Sequence, residues 1–252
     1  DGFIEVNIKE NNVLVKGKKV KENILLDING NEIYLNSVGI VNEGLLEITD
    51  SIENSNGRIY MDESKDYGLL NKVNGKVILE NVRVDISSTT YAFYNESVND
   101  MEFNEAIINS EVISNFYGIY NANEGTIKFN NTIMNVNVHK NGVYGIYNAG
   151  NGEIIYNSGD IIIERTSLEQ NTVTFAYGIY NRSSGIITIN DGIISPAGNI
   201  TTSYGVYAEN NSGTVNFFGG ELKGRQTGIY IPQKMSINND GNSYANMVNL
   251  PI

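Results

Sequence analysis

The chain has no cysteine, one histidine and three prolines in 252 residues, and each shortage closes off a class of answer. Without cysteine there is neither a disulfide framework nor a thiolate metal site, which fits a cytosolic protein and equally the many bacterial surface proteins that avoid thiols. Cations are also short: 17 Lys and Arg against 29 Asp and Glu leave a net charge of -12. Such a chain repels phosphate backbones and anionic lipid, so nucleic acid is not an expected partner. No apolar run approaches the length of a bilayer span, which argues against membrane insertion in this segment. The start at Asp1, with neither initiator Met nor basic leader, reads as a processed or excised segment.

What is present is a folding chain. Hydrophobic residues make up 40% and charged residues 18%, enough apolar material for a core and too much for disorder. Forty asparagines and 26 glycines supply corners, since both tolerate left-handed backbone angles.

One phrase recurs. Tyr-Gly-Ile-Tyr-Asn stands at 117–121, 144–148 and 177–181. Looser copies begin at Val38, Tyr67, Tyr91, Tyr204 and Thr227, making eight, with starts 29, 24, 26, 27, 33, 27 and 23 residues apart. That period is the one at which chains wind solenoid coils. Between phrases the pattern also repeats. After a Gly corner (Gly44, Gly75, Gly125, Gly152, Gly185, Gly213) comes a second strand that alternates, as in Ile127 and Phe129 against Thr126 and Lys128. An Asn- or Gly-rich corner then leads into a third strand with the same alternation, as in Met134, Val136 and Val138. The connection back to the next phrase varies most, and Glu164 to Ala176 is its longest form.

Three short strands per coil, each apolar on one face, predict an all-β parallel β-helix of about eight coils stacked at about 4.8 Å. A right-handed turn is expected because crossovers between parallel strands are right-handed in about 98% of cases. Coils near 27 residues exceed the hexapeptide left-handed helix, and a leucine-rich horseshoe lacks both its Leu consensus and helix-forming segments. The expected layout is a capping β-segment or irregular coil over 1–37, coils over 38–231 and a polar cap or tail over 232–252. Stacking places Asn42, Asn71, Asn95, Asn121, Asn148 and Asn181 in one column and Asn104, Asn130, Asn157 and Asn190 in another. Tyrosines form two more, at the first slot of the phrase (Tyr67 to Tyr204) and the fourth (Tyr94 to Tyr230).

These repeats resemble the pectin-lyase-like right-handed β-helix superfamily, in particular the Asn-, Ile- and Gly-rich repeats of bacterial adhesins and autotransporter-type passenger domains. The resemblance spans Val38 to Ile231. It implies an exported, cell-surface or secreted protein that displays binding surfaces along a rod, toward a host glycan or an extracellular protein. A structural spacer within a larger surface protein is the blander version of the same reading.

The enzymes of that superfamily, polysaccharide lyases and glycoside hydrolases, are the competing reading. Their marks are missing here: His139 is followed by Lys140 rather than Gly, Arg58, Arg83, Arg165, Arg182 and Arg225 fall in different registers, and Asn238-Asn239-Asp240 lies past the last coil. Asp160 and Asp191 occupy similar corners one coil apart, with Glu221 near the next, and solvated turn carboxylates account for them. The repeat of calcium-binding β-rolls is missing as well, so no catalytic residue, metal or cofactor is expected. For a ligand, the expected face is the fourth-slot row Tyr120, Tyr147, Tyr180 and Tyr207 with Arg165, Leu168 and Phe175 of the long connection. If strict alternation holds and the third slot is buried, slots two and four point outward, and each tyrosine has an open Gly beside it.

Overall fold

The protein is described by a computed structural model over residues 4–7, 13–15, 18–36, 39–62, 66–87, 90–112, 115–165, 173–198, 200–209, 213–231 and 237–238. Val38, Leu168, most of the long connection and nearly all of the tail after Ile231 lie outside the described residues. Every regular element among the described residues is a strand, and they stack into a parallel β-solenoid with three sheets. One coil runs through the phrase strand Phe116–Asn121, the second strand Ile127–Asn130 and the third strand Thr132–Val138. Equivalent strands pair in parallel with those of the coils before and after. Ile119, for example, lies opposite Phe93 on one side and Ile146 on the other.

The sheets hold ten second strands, nine third strands and nine phrase strands. That exceeds the eight coils counted from phrases, because strands without the phrase also join. Ile4–Asn7, Val13–Val15 and Lys18–Val20 pair in parallel with Ile24–Asp27, Glu32–Asn36 and Ile40–Asn42, one in each sheet.

The core follows the alternation. Ile127 and Phe129, Met134, Val136 and Val138 are all buried, as are their counterparts on neighbouring coils. Aromatic rings continue the stack inside, where Phe129 lies between Phe103 at 6.0 Å and Tyr156 at 5.2 Å between centroids. Burying such side chains is the main driving force for a rod this narrow. Corners between second and third strands use left-handed backbone at Asn81, Glu105, Asn131, Gly159, Gly192 and Gly220, of which Glu105 (φ 51°) is the residue least suited to it.

Where the phrase strand enters the next corner, the asparagine column is wholly buried. Each Nδ2 donates to the Oδ1 of the next coil's asparagine: Asn42 to Asn71 at 2.9 Å, Asn71 to Asn95 at 2.8 Å, Asn95 to Asn121 at 2.9 Å, Asn121 to Asn148 at 2.9 Å and Asn148 to Asn181 at 3.0 Å. The second amide proton holds the corner, as from Asn121 to the Gly125 carbonyl at 2.8 Å. A buried polar column is tolerated because its donors and acceptors are matched. The outer asparagine column donates the opposite way along the rod, from Asn190 to Asn157, Asn157 to Asn130 and Asn130 to Asn104.

Candidate functional site

Strict alternation fails within the phrase, and the failure creates the site. In Tyr91–Asn95 slots two, three and five are buried while slots one and four are partly exposed. The parallel ladder accordingly pairs slots one, three, four and five and passes over slot two. A Cβ at Gly145 would sit 2.6 Å from the Gly178 carbonyl oxygen and 2.9 Å from Ile161 Cγ2, so the chain bends inward there against its neighbour and the third sheet. Two consecutive inward residues reverse the phase of the strand. The first-slot tyrosines therefore turn outward to join the fourth-slot ones. The expected open strip of glycines beside the rings does not exist, since those glycines line the core.

The result is a wall of twelve tyrosines on the outer face of the phrase sheet. Fourth-slot rings, from Tyr94 through Tyr120, Tyr147, Tyr180 and Tyr207 to Tyr230, stack at 4.6–5.1 Å with planes within 11° of parallel. First-slot rings stack at 4.8–5.6 Å. Rings of the two columns meet edge to face within a coil at 4.9–5.4 Å and 71–89°. The geometry follows from coil spacing. Parallel rings with centroids about 5 Å apart touch at about 3.5 Å only if they lean about 45°, and opposite leans in two columns cross at about 90°. Coil repeat alone thus dictates a herringbone.

This packing decides what the wall can offer. Ring faces are taken up by neighbouring rings, Tyr147 being only 8% exposed, so ring edges and hydroxyls remain for a ligand. Only the end of the row differs, where Tyr230 is 42% exposed. Burial raises the phenols of Tyr91, Tyr94, Tyr117 and Tyr177, takes Tyr120 to about 12 and raises Tyr144 further. Tyr180 is raised first by burial and then by the hydrogen bond its hydroxyl donates to Glu209 Oε2 at 2.9 Å. A phenol, with an ordinary value of about 10, is a neutral donor at physiological pH, and burial only reinforces that. Arg182 lies 3.8 Å from the same Glu209 oxygen, giving the wall a charged edge.

Of the expected ligand residues, Tyr120, Tyr147, Tyr180 and Tyr207 all stand in the wall. Phe175 extends it, packing against Tyr144 at 5.3 Å and Tyr177 at 5.5 Å, with its ring over Gly142. Arg165 ends the third-sheet strand Gly159–Arg165 opposite Val138, not in the phrase sheet. Leu168 is outside the described residues. First-slot tyrosines, Arg182 and Glu209 were missed as site members; the signal for the tyrosines was the repeated Gly at slot two, a residue that marks bulges and close approach.

A second concave feature lies on the outer face of the third sheet, a groove of about 700 Å³. Its floor carries Asp85, Asn109 and Asn135 in one column and Ser87, Glu111, Asn137 and Glu164 in the next. Asp85 is held by Arg83 at 3.0 Å and Arg58 at 3.3 Å, and Glu111 by His139 at 3.1 Å. The corners holding Asp160 and Asp191 stack on each other, yet the two residues do not share a slot: Asp160 stands opposite Ile193, two residues past Asp191. No cluster of three or more metal-ligating side chains occurs among the described residues.

The chain is thus shown to be a parallel β-solenoid of three sheets. No protein-family model, curated protein or solved structure matches it.

Proposed function

We propose that the protein is a non-catalytic binding and display rod of the bacterial adhesin type, acting outside the cell, with the tyrosine wall as its contact face toward a glycan or an extracellular protein. The observation that carries this reading is the wall itself. Twelve phenols, ten of them partly exposed with Tyr147 buried and Tyr230 exposed, form one row braced through Asn181 by a buried amide column, and a rigid aromatic array has little side-chain entropy to lose on binding. Tyrosine also combines an apolar body with a polar tip, the chemistry enriched at interfaces. The test is binding to arrays of glycans and extracellular-matrix proteins, comparing the intact chain with a variant carrying Tyr180→Phe and Tyr207→Phe. Stacking survives that change while two hydroxyls go, so binding should fall several-fold with the melting temperature nearly unchanged. Retention of full binding would remove the wall from the mechanism.

The third-sheet groove favours a second reading, polysaccharide cleavage, because Glu111 and Glu164 stand in one column with Asn137 between them. Two coils separate the carboxylates by roughly 9.6 Å, at the edge of the span used by inverting hydrolases. Incubation with pectic, alginate-like and chondroitin-type polysaccharides, with calcium supplied, separates the readings. The rod predicts neither unsaturated products nor new reducing ends.

A further inference from the structure

We infer that the partner fitted to the tyrosine wall is a proline-rich segment in the polyproline II conformation carrying Lys or Arg, an inference that rests on the wall being the contact face and names what it takes. The periods match. Two steps of 5.0 Å along Tyr120, Tyr147 and Tyr180 come to roughly 10 Å, against about 9.3 Å for a polyproline II turn of three residues. Every third residue of such a segment therefore meets every second ring. The lag of under about 1 Å per turn keeps two to three turns in step, a footprint of about six to nine residues.

The chemistry matches as well. A polyproline II backbone has no internal hydrogen bonds, so its carbonyls need donors, and proline contributes apolar rings but no N–H. The row of phenols supplies donors along the wall, except at Tyr180, whose proton goes to Glu209, and the furrows between leaning rings supply apolar edges. Aromatic-lined surfaces are the general solution for this ligand because the segment is already extended and loses little entropy. Charge points the same way. The chain carries -12 overall, and two carboxylates flank the wall: Glu96, which after burial helps raise Tyr94, and Glu209, which accepts from Tyr180, with Lys72 at 3.3 Å and Arg182 at 3.8 Å as their own cation partners.

A second copy of the chain fits less well. Six coils of wall, about 29 Å long and about 11 Å wide, offer roughly 300 Å² per partner, well below the roughly 800 Å² of a standard interface. Two copies would also bring like charge together.

The test uses the whole chain and fluorescence anisotropy with two labelled peptides of equal charge, (Pro-Pro-Arg)₃ and the flexible (Gly-Ser-Arg)₃, at physiological ionic strength. The proline peptide should bind about tenfold or more tighter, and lengthening it past about nine residues should add little. The triple change Tyr94→Phe, Tyr120→Phe, Tyr207→Phe should weaken it about fivefold or more. Tyrosine ring resonances of the unmodified protein should shift on titration, a readout independent of how that variant folds. Equal binding of both peptides, or binding indifferent to the wall, overturns the inference. Wall-dependent binding of a glycan or a folded matrix protein without the proline peptide overturns it while leaving the proposed function standing. If nothing binds the wall, both fall.

Discussion

Replacing Asn121 by alanine should destabilise the protein by about 4–6 kcal/mol, far beyond a typical single substitution. Asn121 is fully buried and takes part in three bonds: it accepts from Asn95 at 2.9 Å and donates to Asn148 at 2.9 Å and to the Gly125 carbonyl at 2.8 Å. Alanine withdraws a partner from each of three buried groups, at about 1–3 kcal/mol apiece. Asn95 is hurt least, because its Nδ2 keeps a longer bond to the Ser97 carbonyl at 3.4 Å. The void left by the amide adds to the loss. Asn190→Ala is the control. That residue is exposed and donates one bond, to Asn157 at 2.6 Å, so its loss should be about 1 kcal/mol or less. Urea denaturation followed by circular dichroism gives both values, and amide hydrogen exchange should show coils next to Asn121 opening first, since each coil leans only on its neighbours. A loss below about 1 kcal/mol for Asn121→Ala would show that the column is incidental to the fold.

Three further outcomes follow from the same geometry. Because burial in the fold raises Tyr120 to about 12 and Tyr117, Tyr144 and Tyr177 in the same direction, their neutral form contributes stability that is complete below the unfolded phenol value of about 10 and is lost as pH rises through the folded values; absorbance at 295 nm should therefore reveal late ionisation of these four coupled to unfolding, and their reversible titration near pH 10 with the fold intact would contradict it. Glu105→Gly, relieving a left-handed position held by a residue with a Cβ, should stabilise by about 1 kcal/mol and raise the melting temperature by about 2–4 °C in calorimetry. Tyr147→Ala should cost about 3 kcal/mol in the same denaturation assay, since that ring is stacked against Tyr120 and Tyr180 and meets Tyr117 and Tyr144 edge on.

Much of the fold was legible because solenoid geometry converts sequence position into space. Ile127 and Phe129 alternate cleanly, and the same slots in neighbouring coils carry the same chemistry, so the core, the asparagine columns and the tyrosine columns could all be placed. The site was legible only in part. Tyr120, Tyr147, Tyr180 and Tyr207 were expected outward and stand there, but the first-slot column was assigned to the opposite face by assuming a period of two throughout. Gly118, Gly145 and Gly178 break that period, and alternation has no means to express two inward residues in a row. Glu209 was out of reach for another reason: its contact with Tyr180 spans neighbouring coils at a corner whose residues do not repeat. The additional strands before Ile40 pair through backbone register without the phrase, so counting phrases undercounted coils.

The central claim, that stacked phrases assemble twelve tyrosines into one herringbone wall, is tested most directly on the unmodified protein by nuclear Overhauser effects among ring-labelled tyrosines, assigned by single Tyr→Phe changes. The account predicts a continuous network in which Tyr144 connects to Tyr147 in its own coil and to Tyr177 and Tyr180 in the next, repeated along the row. Rings that contact core isoleucines but not one another would contradict it.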